Sequence, residues 1–508
     1  MERRTFFKLI GVSALATAGT AAVTACSPSG TMPPFAPDVP EQESAQVAND
    51  PVVAFTSEVD VLVVGSGIAG LSAAMAPAEA GRSVMVADKL DLLGGESFSS
   101  CGVMRVSGSA LQRRVGIDIT AIEAWDARKQ ELANAGVSDL DFAKRLFVIA
   151  PDWADHLTDS YGAKFADPRS YVEAGGPETV LLPENGLGDM ESVMSPLRDG
   201  LSGKGVTFFS GMRAVAFVLD EAGSVCGMRF VAEKNGAIND VRARRVVVAT
   251  GGFASSQPLM HTYLPDQERV GCYTFSSMGE GQLLCTAVGG QLADMAKAGP
   301  LTSDVPQAAA WGLFGPTIIV NPFGIRFARE DSENAAADAC FKDALGFWWT
   351  VFDQQLVGGS QSRNVAQMTA KLSQRLVGPV DTLDDLAAAL TVSADVLKAT
   401  FDAYDQAVDE QKDAAFGRTR FLQKLSAPYY ALRQLPVRYK TRGGAKTDGD
   451  GRLLNATGSP VANVYCCGSV GASSVEGLAS NGAYGMLVGQ AVAKALDSED
   501  TEKKDAAS

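Results

Sequence analysis

The chain has 508 residues, 46% of them hydrophobic and 20% charged, which is the composition of a globular protein with a large core. Its formal net charge of −15 excludes nucleic acid as an expected partner, because a polyanion is bound by clustered basic residues. Only two histidines occur, and none of the eight cysteines stands in a C-x-x-C pair. The sequence therefore predicts no metal site, no attached haem and no disulfide framework.

The first 26 residues predict an export signal. Two adjacent arginines and two phenylalanines precede an apolar stretch at 9–25, as in a twin-arginine signal. Residues 23–26 resemble a bacterial lipobox, and this resemblance implies that Cys26 becomes lipidated. The expected location is extracytoplasmic, anchored to the bacterial cell membrane; an uncleaved N-terminal membrane anchor is the alternative. Residues 27–56 are rich in Pro, Ser, Ala, Glu and Gln, and they predict a disordered tether.

A dinucleotide-binding turn follows. Residues 59–64 are a short apolar run that predicts a buried strand, and three glycines in the G-x-G-x-x-G spacing come directly after it. This spacing places a helix N-terminus against phosphate groups, and Asp88, which ends a second apolar run, could accept hydrogen bonds from a ribose. A glycine-rich turn without a ligand is the alternative, and Pro77 is expected to kink the helix or to end it early. The residues assigned to the ligand here are Gly65, Ser66, Gly67, Ile68, Ala69, Gly70, Asp88 and Lys89.

Two further glycine-rich segments are predicted to face the same ligand. A loop rich in glycine and hydroxyl groups follows the acid and could offer backbone N–H groups to a planar ring, although a plain flexible loop has a similar composition. Four strands at 206–250 predict a meander, and its last strand ends in two glycines at the same sheet edge. The residues assigned to the ligand are Gly94, Gly95, Glu96, Ser97, Ser100, Gly102, Val103, Ala249, Thr250, Gly251, Gly252 and Gly281.

The chain is predicted to divide into a nucleotide-binding domain and an inserted domain. Residues 57–299 carry the features described above. Residues 300–436 contain acidic helices and an aromatic run, which predict a separate, lid-like domain. Glycine-rich character resumes at 437–497 and completes the first domain, whereas the charged residues 498–508 are expected to be disordered.

The order of the motifs resembles that of the FAD-dependent fumarate reductase and 3-ketosteroid dehydrogenase superfamily. The motifs span residues 58–496 and read VDVLVVGSGIAGLSAA, GGESFSSCG, VVVATGGFA, GEGQLL, VNPFGIRFARE, PYYAL, TRGGAKTD and NVYCCGS. The resemblance implies an α/β fold, with a Rossmann-like FAD-binding domain of the glutathione reductase type and an inserted α+β capping domain. It implies that the adenosine of FAD lies at Asp88 and the isoalloxazine beside 94–102, with Gly468, Ser469 and Ser480 closing over the cofactor. Because GGESFSS contains no histidine, FAD is expected to be non-covalent.

The resemblance also implies chemistry at a carbon–carbon bond beside an electron-withdrawing group. Flavin N5 gives a hydride to one carbon while an acid protonates the other, or the reverse occurs. In such enzymes an arginine or a tyrosine follows the RFxxE motif by four residues, but Asn334 stands four residues after Glu330 here. The expected histidine before the paired glycines and a second arginine near the last helix are also absent. Because a dianion needs several fixed cations, fumarate is not the expected substrate.

Four residues are the candidates for catalysis: Glu333, Asn334, Tyr430 and Arg442. Glu333 or Tyr430 could donate a proton, or Asn334 could hold a water that does so. Arg442, or the nearby Lys440, could bind an anionic or carbonyl group. The alternatives are a solvated charge cluster at RFARED, a packing role for the tyrosine and a flavin contact for Arg442.

The expected activity is that of an exported FAD oxidoreductase that reduces an activated C=C bond of a small organic acceptor. A desaturating dehydrogenase of the 3-ketosteroid type and a non-catalytic flavin electron shuttle remain open. Because the sequence contains no haem-attachment motif, a separate donor protein or a membrane donor is expected to supply the electrons.

Overall fold

The computed structural model of the chain describes residues 8–11, 52–171, 179–359, 361–472 and 477–507. The predicted lipidation site Cys26 and most of the predicted tether lie outside these residues. Within the predicted signal, Lys8–Gly11 is described as a strand at the edge of the large sheet, antiparallel to Met212–Leu219. The first long strand begins at Phe55, two residues before the predicted boundary at 57.

The centre of the molecule is a nine-stranded mixed sheet. The strand before the glycine turn, Phe55–Val64, pairs in parallel with Val84–Ala87 on one side and with Ile238–Val248 on the other. Its second half is buried on both faces, as its unbroken apolar run predicts. The other strands of this sheet are Lys8–Gly11, Thr207–Phe209, Met212–Leu219, Val225–Ala232, Arg452–Leu454 and Pro460–Cys466.

Three of the four strands predicted at 206–250 form the expected meander. Met212–Leu219, Val225–Ala232 and Ile238–Val248 pair in antiparallel succession. The first predicted strand differs, because Thr207–Phe209 pairs in parallel with Val84–Ala87 instead. This meander brings Ala249 and the glycines after it to the same sheet edge as the glycine turn.

Two helices, Ile68–Glu79 and Leu478–Ala507, pack against each other over one face of the sheet. They approach closely because a β-carbon at Gly485 would lie 2.0 Å from the carbonyl oxygen of Ala69. The other helices of the body are Gly95–Phe98, Ala110–Arg113, Ala121–Asn134, Leu140–Tyr161, Glu191–Gly203, Gln257–Tyr263, Pro265–Glu268 and Glu280–Ala287.

Of the two outcomes predicted for Pro77, an early end of the first helix does not occur, because the helix continues to Glu79, and a kink stays a prediction. The proline removes the helical donor to the carbonyl group of Ala73. Gly489 of the C-terminal helix packs beside that carbonyl, because its β-carbon would lie 2.5 Å from the oxygen. The position of the proline in the last turn limits the cost to this one hydrogen bond.

A four-stranded antiparallel sheet with flanking helices forms most of the segment 300–436. The strand order is Thr317–Val320, Trp348–Phe352, Tyr429–Gln434 and Leu376–Val380. Separate helices and an antiparallel sheet give this segment the α+β character that was expected. Its helices are Pro306–Ala309, Ala335–Lys342, Gln354–Gly358, Ser362–Lys371, Leu383–Leu390 and Ala394–Asp409.

Short strands connect this capping segment to the body. Pro436–Arg438 pairs with Gly271–Cys272 from the body and with Leu301–Ser303, so the predicted boundaries at 300 and 436 both fall at one small sheet. The structure also contains two separate two-stranded antiparallel sheets. One pairs Met104–Arg105 with Val180–Leu181, and the other pairs Leu292–Ala293 with Gly444–Ala445.

The prediction of a disordered tail at 498–508 is wrong for the residues described, because the C-terminal helix runs from Leu478 to Ala507. Its acidic side chains form ion pairs with arginines of the body, among them Asp500 with Arg244 and Glu499 with Arg245. The charged composition that suggested disorder therefore serves tertiary contacts. None of the helices in the described residues is both long enough and apolar enough to cross a bilayer.

Candidate functional site

Glycines let the turn after Phe55–Val64 contact its neighbours through backbone atoms. Gly65 has a φ of +109°, and a β-carbon there would lie 2.4 Å from the carbonyl oxygen of Ala249. A β-carbon at Gly70 would lie 1.9 Å from the carbonyl oxygen of Gly65. These two glycines therefore hold the turn, the helix and the neighbouring strand end together. Gly67 instead lines a cleft, where the hydroxyl of Ser97 is the nearest atom.

Asp88 is buried and braces the same turn from the next strand. Its Oδ2 accepts hydrogen bonds from the backbone N–H and the hydroxyl of Ser66, at 2.7 and 2.6 Å. Its Oδ1 accepts from the N–H of Leu90 at 2.9 Å. The hydroxyl of Ser66 in turn accepts from the N–H of Gly94 at 2.8 Å, which ties the two glycine loops together.

An open cleft of about 1500 Å³ runs along the carboxyl edge of the sheet and reaches the capping segment. Most of the residues assigned to a ligand from the sequence line it, which brings the three glycine-rich segments and the C-terminal return together. These are Gly65, Gly67, Ile68, Ala69, Asp88, Lys89, Gly95, Glu96, Ser97, Ser100, Val103, Ala249, Thr250, Gly251, Gly252, Gly468 and Ser469.

Six assigned residues do not line the cleft and support it from behind. Gly281, for example, packs on Thr250, where a β-carbon would lie 2.0 Å from the hydroxyl oxygen, and Gly102 packs on Pro183. Ser480 is buried, and its neighbour Asn481 lines the cleft instead. The assigned residues outside the cleft lining are Ser66, Gly70, Gly94, Gly102, Gly281 and Ser480, and their contact with FAD stays a prediction.

Glu96 lines the cleft but directs its carboxylate at the opposite loop. Its Oε1 accepts from the N–H and hydroxyl of Ser276 and from the N–H of Ser277, at 2.9 to 3.1 Å. Its Oε2 accepts from the hydroxyl of Ser277 at 2.7 Å. Glu96 therefore fixes one wall of the cleft.

The end of the cleft beside Asp88 carries paired charges. Nζ of Lys89 lies 2.5 Å from Oε1 of Glu280, and both residues line the cleft. Arg213, on the first strand of the meander, also lines it and pairs with Glu233 at 2.6 Å. No local sequence pattern predicted that Arg213 lines the cleft, because its location depends on how its strand pairs within the sheet.

Among the four candidates for catalysis, Glu333 lines the cleft. Its Oε1 lies 3.4 Å from a guanidinium nitrogen of Arg105, and both side chains are partly buried. Cys101 lines the cleft nearby, and burial, assisted by the negative charge of Glu333, raises the pKa of its thiol to about 12. The thiol therefore stays protonated at neutral pH.

Asn334 lies behind the cleft wall. It precedes the helix Ala335–Lys342, and its Oδ1 accepts a hydrogen bond from the hydroxyl of Tyr439 at 3.4 Å. Tyr439 lines the cleft, as do Lys440 and Thr441. Tyr439 was not among the residues predicted from the sequence, although it stands two residues before the TRGGAKTD motif.

Tyr430 and Arg442 do not line the cleft. Tyr430 stacks on Phe352 inside the capping sheet, and its hydroxyl lies 3.5 Å from Gln354. The guanidinium of Arg442 is buried, and its Nε donates to the carbonyl oxygen of Ala298 at 3.2 Å. Strand pairing turns Tyr430 into the cap, so the packing interpretation holds for it.

The RFARED segment is buried and is not a solvated charge cluster. Arg326 donates to both carboxylate oxygens of Glu330 and to both of Asp413, at 2.7 to 3.0 Å. Arg418, which is 2% exposed, adds a second guanidinium 3.4 Å from Glu330. Burial opposes ionisation of Asp413, but its bonds to Arg326 and to backbone N–H groups lower its pKa to about 2. This network anchors the segment that carries Glu333.

In the part of the chain that the structure describes, no group of His, Cys, Asp and Glu side chains could hold a metal ion. The two histidines pair with glutamates away from the cleft: His156 with Glu79 and His261 with Glu268.

Residues 60–486 match the family described as FAD binding domain. The chain belongs to this family. It is an FAD-dependent oxidoreductase of the fumarate reductase-like superfamily. A probable fumarate reductase of Shewanella frigidimarina is 27% identical over 85% of this chain and 72% of its own length. A urocanate reductase of Eggerthella lenta is 24% identical over 81% of this chain and 70% of its own, and an acrylate reductase flavoprotein subunit of Shewanella woodyi is 25% identical over 82% and 86%.

Two solved structures share the fold of this FAD-binding chain. A flavocytochrome c3 fumarate reductase in an open conformation has a TM-score of 0.66, with 24% identity over 87% of this chain and 79% of its own. A 3-ketosteroid-Δ4-(5α)-dehydrogenase of Rhodococcus jostii has the same TM-score, with 22% identity over 87% of this chain and 98% of its own. The expected α/β fold of the FAD-binding type is thereby confirmed.

FAD fits the residues present. The N–H of Ile68, the first helical residue after the glycine turn, points to the cleft-lining hydroxyl of Ser97 at 3.0 Å, so a helix N-terminus faces the place for a pyrophosphate. Beside Gly468, Oδ1 of Asn481 is buried without a hydrogen-bond partner. Such an atom needs a donor, and FAD offers one through its ribityl hydroxyls or its ring N–H. The position of Asn481, next to the predicted Ser480, follows from helix phase.

Proposed function

We propose that this FAD oxidoreductase reduces an activated C=C bond of a small organic acceptor and that Glu333 donates the proton. The observation that supports the proposal is the place of Glu333, which lines the cleft together with the loop 95–103. Bound FAD supplies the electron pair for such a reaction as a hydride. The named relatives include reductases of fumarate, urocanate and acrylate, all of which carry a C=C bond beside an electron-withdrawing group.

The residues around Glu333 suit a weakly charged acceptor. Three described cations line the cleft, but Lys89 and Arg213 lie at the end beside Asp88 and are paired with glutamates. Lys440 also lines the cleft, at the capping end, and follows Tyr439 in the chain. One cation and one phenol suit a single carboxylate or a carbonyl group, whereas a dianion needs more fixed cations.

The proposal is tested with purified holoenzyme, reduced viologen and a panel of enones and acrylates. We expect dye oxidation with one acceptor class, and we expect Glu333→Gln to lower kcat by about 100-fold or more, because a positioned acid contributes a factor of that order. Tyr430→Phe is the matched control and should leave kcat unchanged. Equal kcat in wild type and Glu333→Gln would contradict the role of Glu333.

A desaturating dehydrogenase of the 3-ketosteroid type is the second candidate. The cleft-lining hydroxyl of Tyr439 favours it, since a phenol could hydrogen-bond to a ketone. Dye-coupled oxidation of a saturated cyclic ketone, without reduction of any acceptor, would favour this direction. Bound, redox-active FAD with neither reaction would favour an electron shuttle.

We also propose that the protein is exported, lipidated at Cys26 and reduced by a separate donor protein or membrane donor. The support is the sequence pattern of residues 1–26. In a bacterial host, Cys26→Ser should move the protein from the membrane fraction to the soluble extracytoplasmic fraction. Replacing Arg3 and Arg4 by lysine should retain it in the cytoplasm. Membrane association that survives Cys26→Ser would argue for the uncleaved anchor.

A further inference from the structure

A second, very small cavity lies behind Glu333 on the side away from the cleft. It has room for about one water molecule. Glu333 lines both this cavity and the FAD cleft, so this residue lies between the two spaces. The polar residues that line the cavity are Thr317, Glu330, Ser332, Glu333 and Thr350.

The hydroxyl group of Thr317 is the polar group at this cavity that lacks a hydrogen-bond partner. Thr317 is 1% exposed, and its Oγ1 is buried without a hydrogen-bond partner, although it lines the cavity. An unpartnered buried hydroxyl costs about 1–3 kcal/mol, and a bound water removes that cost. The Thr317 backbone carbonyl is already used, because it accepts from Arg418.

Other polar groups around the cavity complete a site for water. The carboxylate of Glu330 accepts hydrogen bonds from Arg326 and lies 3.4 Å from Arg418, and its oxygens offer an acceptor to a water. Thr350 accepts from Gln434 at 2.6 Å and keeps its own O–H as a donor. A buried water typically makes two to four hydrogen bonds, and these groups supply them.

We infer that a water molecule bound between Thr317 and Glu333 returns the proton that Glu333 gives up in each turnover. The inference rests on the proposed role of Glu333. The O–H bond of Glu333 breaks as a C–H bond forms on the acceptor. The bound water then gives a proton to the Glu333 carboxylate and takes one that comes from bulk solvent, so each turnover consumes one solvent proton. Thr317 acts through the water and is a positioning residue.

The chemistry explains why the proton needs a route that does not pass through the cleft. FAD and the acceptor occupy the cleft during turnover, and exclusion of water there strengthens the electrostatic interactions of the reacting groups and prevents proton leakage. A proton that reaches Glu333 through the small cavity does not pass through the cleft in which FAD and the acceptor react. We assign the ligand as water because the cavity is too small for a larger molecule.

Two variants of Thr317 test the inference. Thr317→Val keeps the shape and removes the hydroxyl, whereas Thr317→Ser keeps it. A high-resolution crystal structure of the holoenzyme should contain an ordered water within hydrogen-bond distance of Oγ1 in wild type and Thr317→Ser but not in Thr317→Val. We expect Thr317→Val to lower kcat about tenfold and to enlarge the solvent deuterium isotope effect, while Thr317→Ser restores both. FAD affinity should be equal in all three proteins.

An empty cavity in wild type, or a Thr317→Val variant with unchanged kcat and isotope effect, overturns the inference. Thermal unfolding of Thr317→Val checks that it folds, and removal of an unpartnered hydroxyl should not destabilise it. A wild-type enzyme that reduces none of the acceptors contradicts the proposed function and removes the relay with it. The crystallographic result distinguishes that case from an empty cavity, which contradicts the inference alone.

Discussion

Asp88 and Asn481 both line the cleft but use their side chains in opposite ways. Asp88 already accepts three protein hydrogen bonds, so its first role is to brace the glycine turn. Oδ1 has one further lone pair, and the expected ribose contact stays a prediction. Asn481 instead presents a buried acceptor atom that has no protein donor. Substitution of a residue such as Asn481 should therefore change FAD affinity with less effect on folding stability than substitution of Asp88.

Replacing Asn481 by alanine should weaken FAD binding without destabilising the apoprotein. Removal of the acceptor leaves a flavin donor unpaired, which we expect to raise the Kd for FAD about tenfold, or about 1.4 kcal/mol. The apoprotein loses an oxygen that had no partner and a long hydrogen bond of 3.5 Å from Nδ2 to the hydroxyl of Ser469, so its free energy of unfolding should change little. Flavin fluorescence quenching and thermal unfolding of the apoprotein measure the two effects.

Ser480→Ala is the matched control for this prediction, because Ser480 is buried behind the cleft. It should leave the Kd for FAD unchanged. A larger effect from Ser480→Ala than from Asn481→Ala would restore the assignment made from the sequence and remove ours.

At the scale of elements, the segment from Arg326 to Asn334 depends on charges from elsewhere in the cap. Asp413 lies in the loop after the helix Ala394–Asp409, and both of its carboxylate oxygens accept hydrogen bonds from Arg326 of this segment. Asp331 accepts from the N–H groups of Thr419 and Arg420. Buried charges of this kind are costly to separate, so removal of one partner loosens the whole segment.

Asp413→Asn should lower the free energy of unfolding by about 3 kcal/mol at pH 7, the order expected when one partner of a buried ion pair is removed. Urea unfolding of wild type and variant measures the loss. The Glu333-dependent activity should fall as well, because the segment that carries Glu333 loses an anchor. Asp409→Asn, which removes a more exposed carboxylate paired with Lys424, is the control and should cost less than 1 kcal/mol.

The cost of Asp413→Asn should depend on pH in a defined direction. The folded-state pKa of Asp413 is about 2, below the unfolded value of about 3.9, so its contribution is fully present above the unfolded pKa. It is lost as the pH falls towards 2. The difference in stability between wild type and variant should therefore be constant from pH 7 to 5 and shrink below pH 4. A difference that grows on acidification would contradict this assignment.

At the scale of the whole molecule, the sequence predicted what local backbone rules determine. Gly65 and Gly70 make close backbone contacts with the neighbouring strand end and with each other, where a larger residue would not fit. The G-x-G-x-x-G spacing predicts such contacts. Tyr430 and Arg213 lie where they do because distant strands pair, and no local pattern records that pairing. The cofactor could therefore be predicted from sequence, whereas the wall that faces the acceptor required the structure.

The charged C-terminus shows the same limit. Its composition indicates disorder, yet three arginines of the body, Arg82, Arg244 and Arg245, meet its acidic side chains. Hydrogen bonds from Arg244 and Arg82 lower the pKa of Asp500 to about 2. The two arginines at 244 and 245 lie on the strand Ile238–Val248, so the last turns of the helix are fixed to the central sheet.

Truncation after Leu496 should therefore lower the Tm by a few degrees at low ionic strength, because three arginines lose their partners. Salt screens partly exposed charges, so the difference in Tm should shrink as sodium chloride is raised to about 1 M. Thermal unfolding at several salt concentrations measures it, and truncation after Asp505, beyond all these ion pairs, is the control. Equal Tm values for the full chain and the chain ending at Leu496 would support the disordered tail that the sequence predicts. A salt-independent loss would show that helix length, rather than the ion pairs, stabilises this end of the molecule.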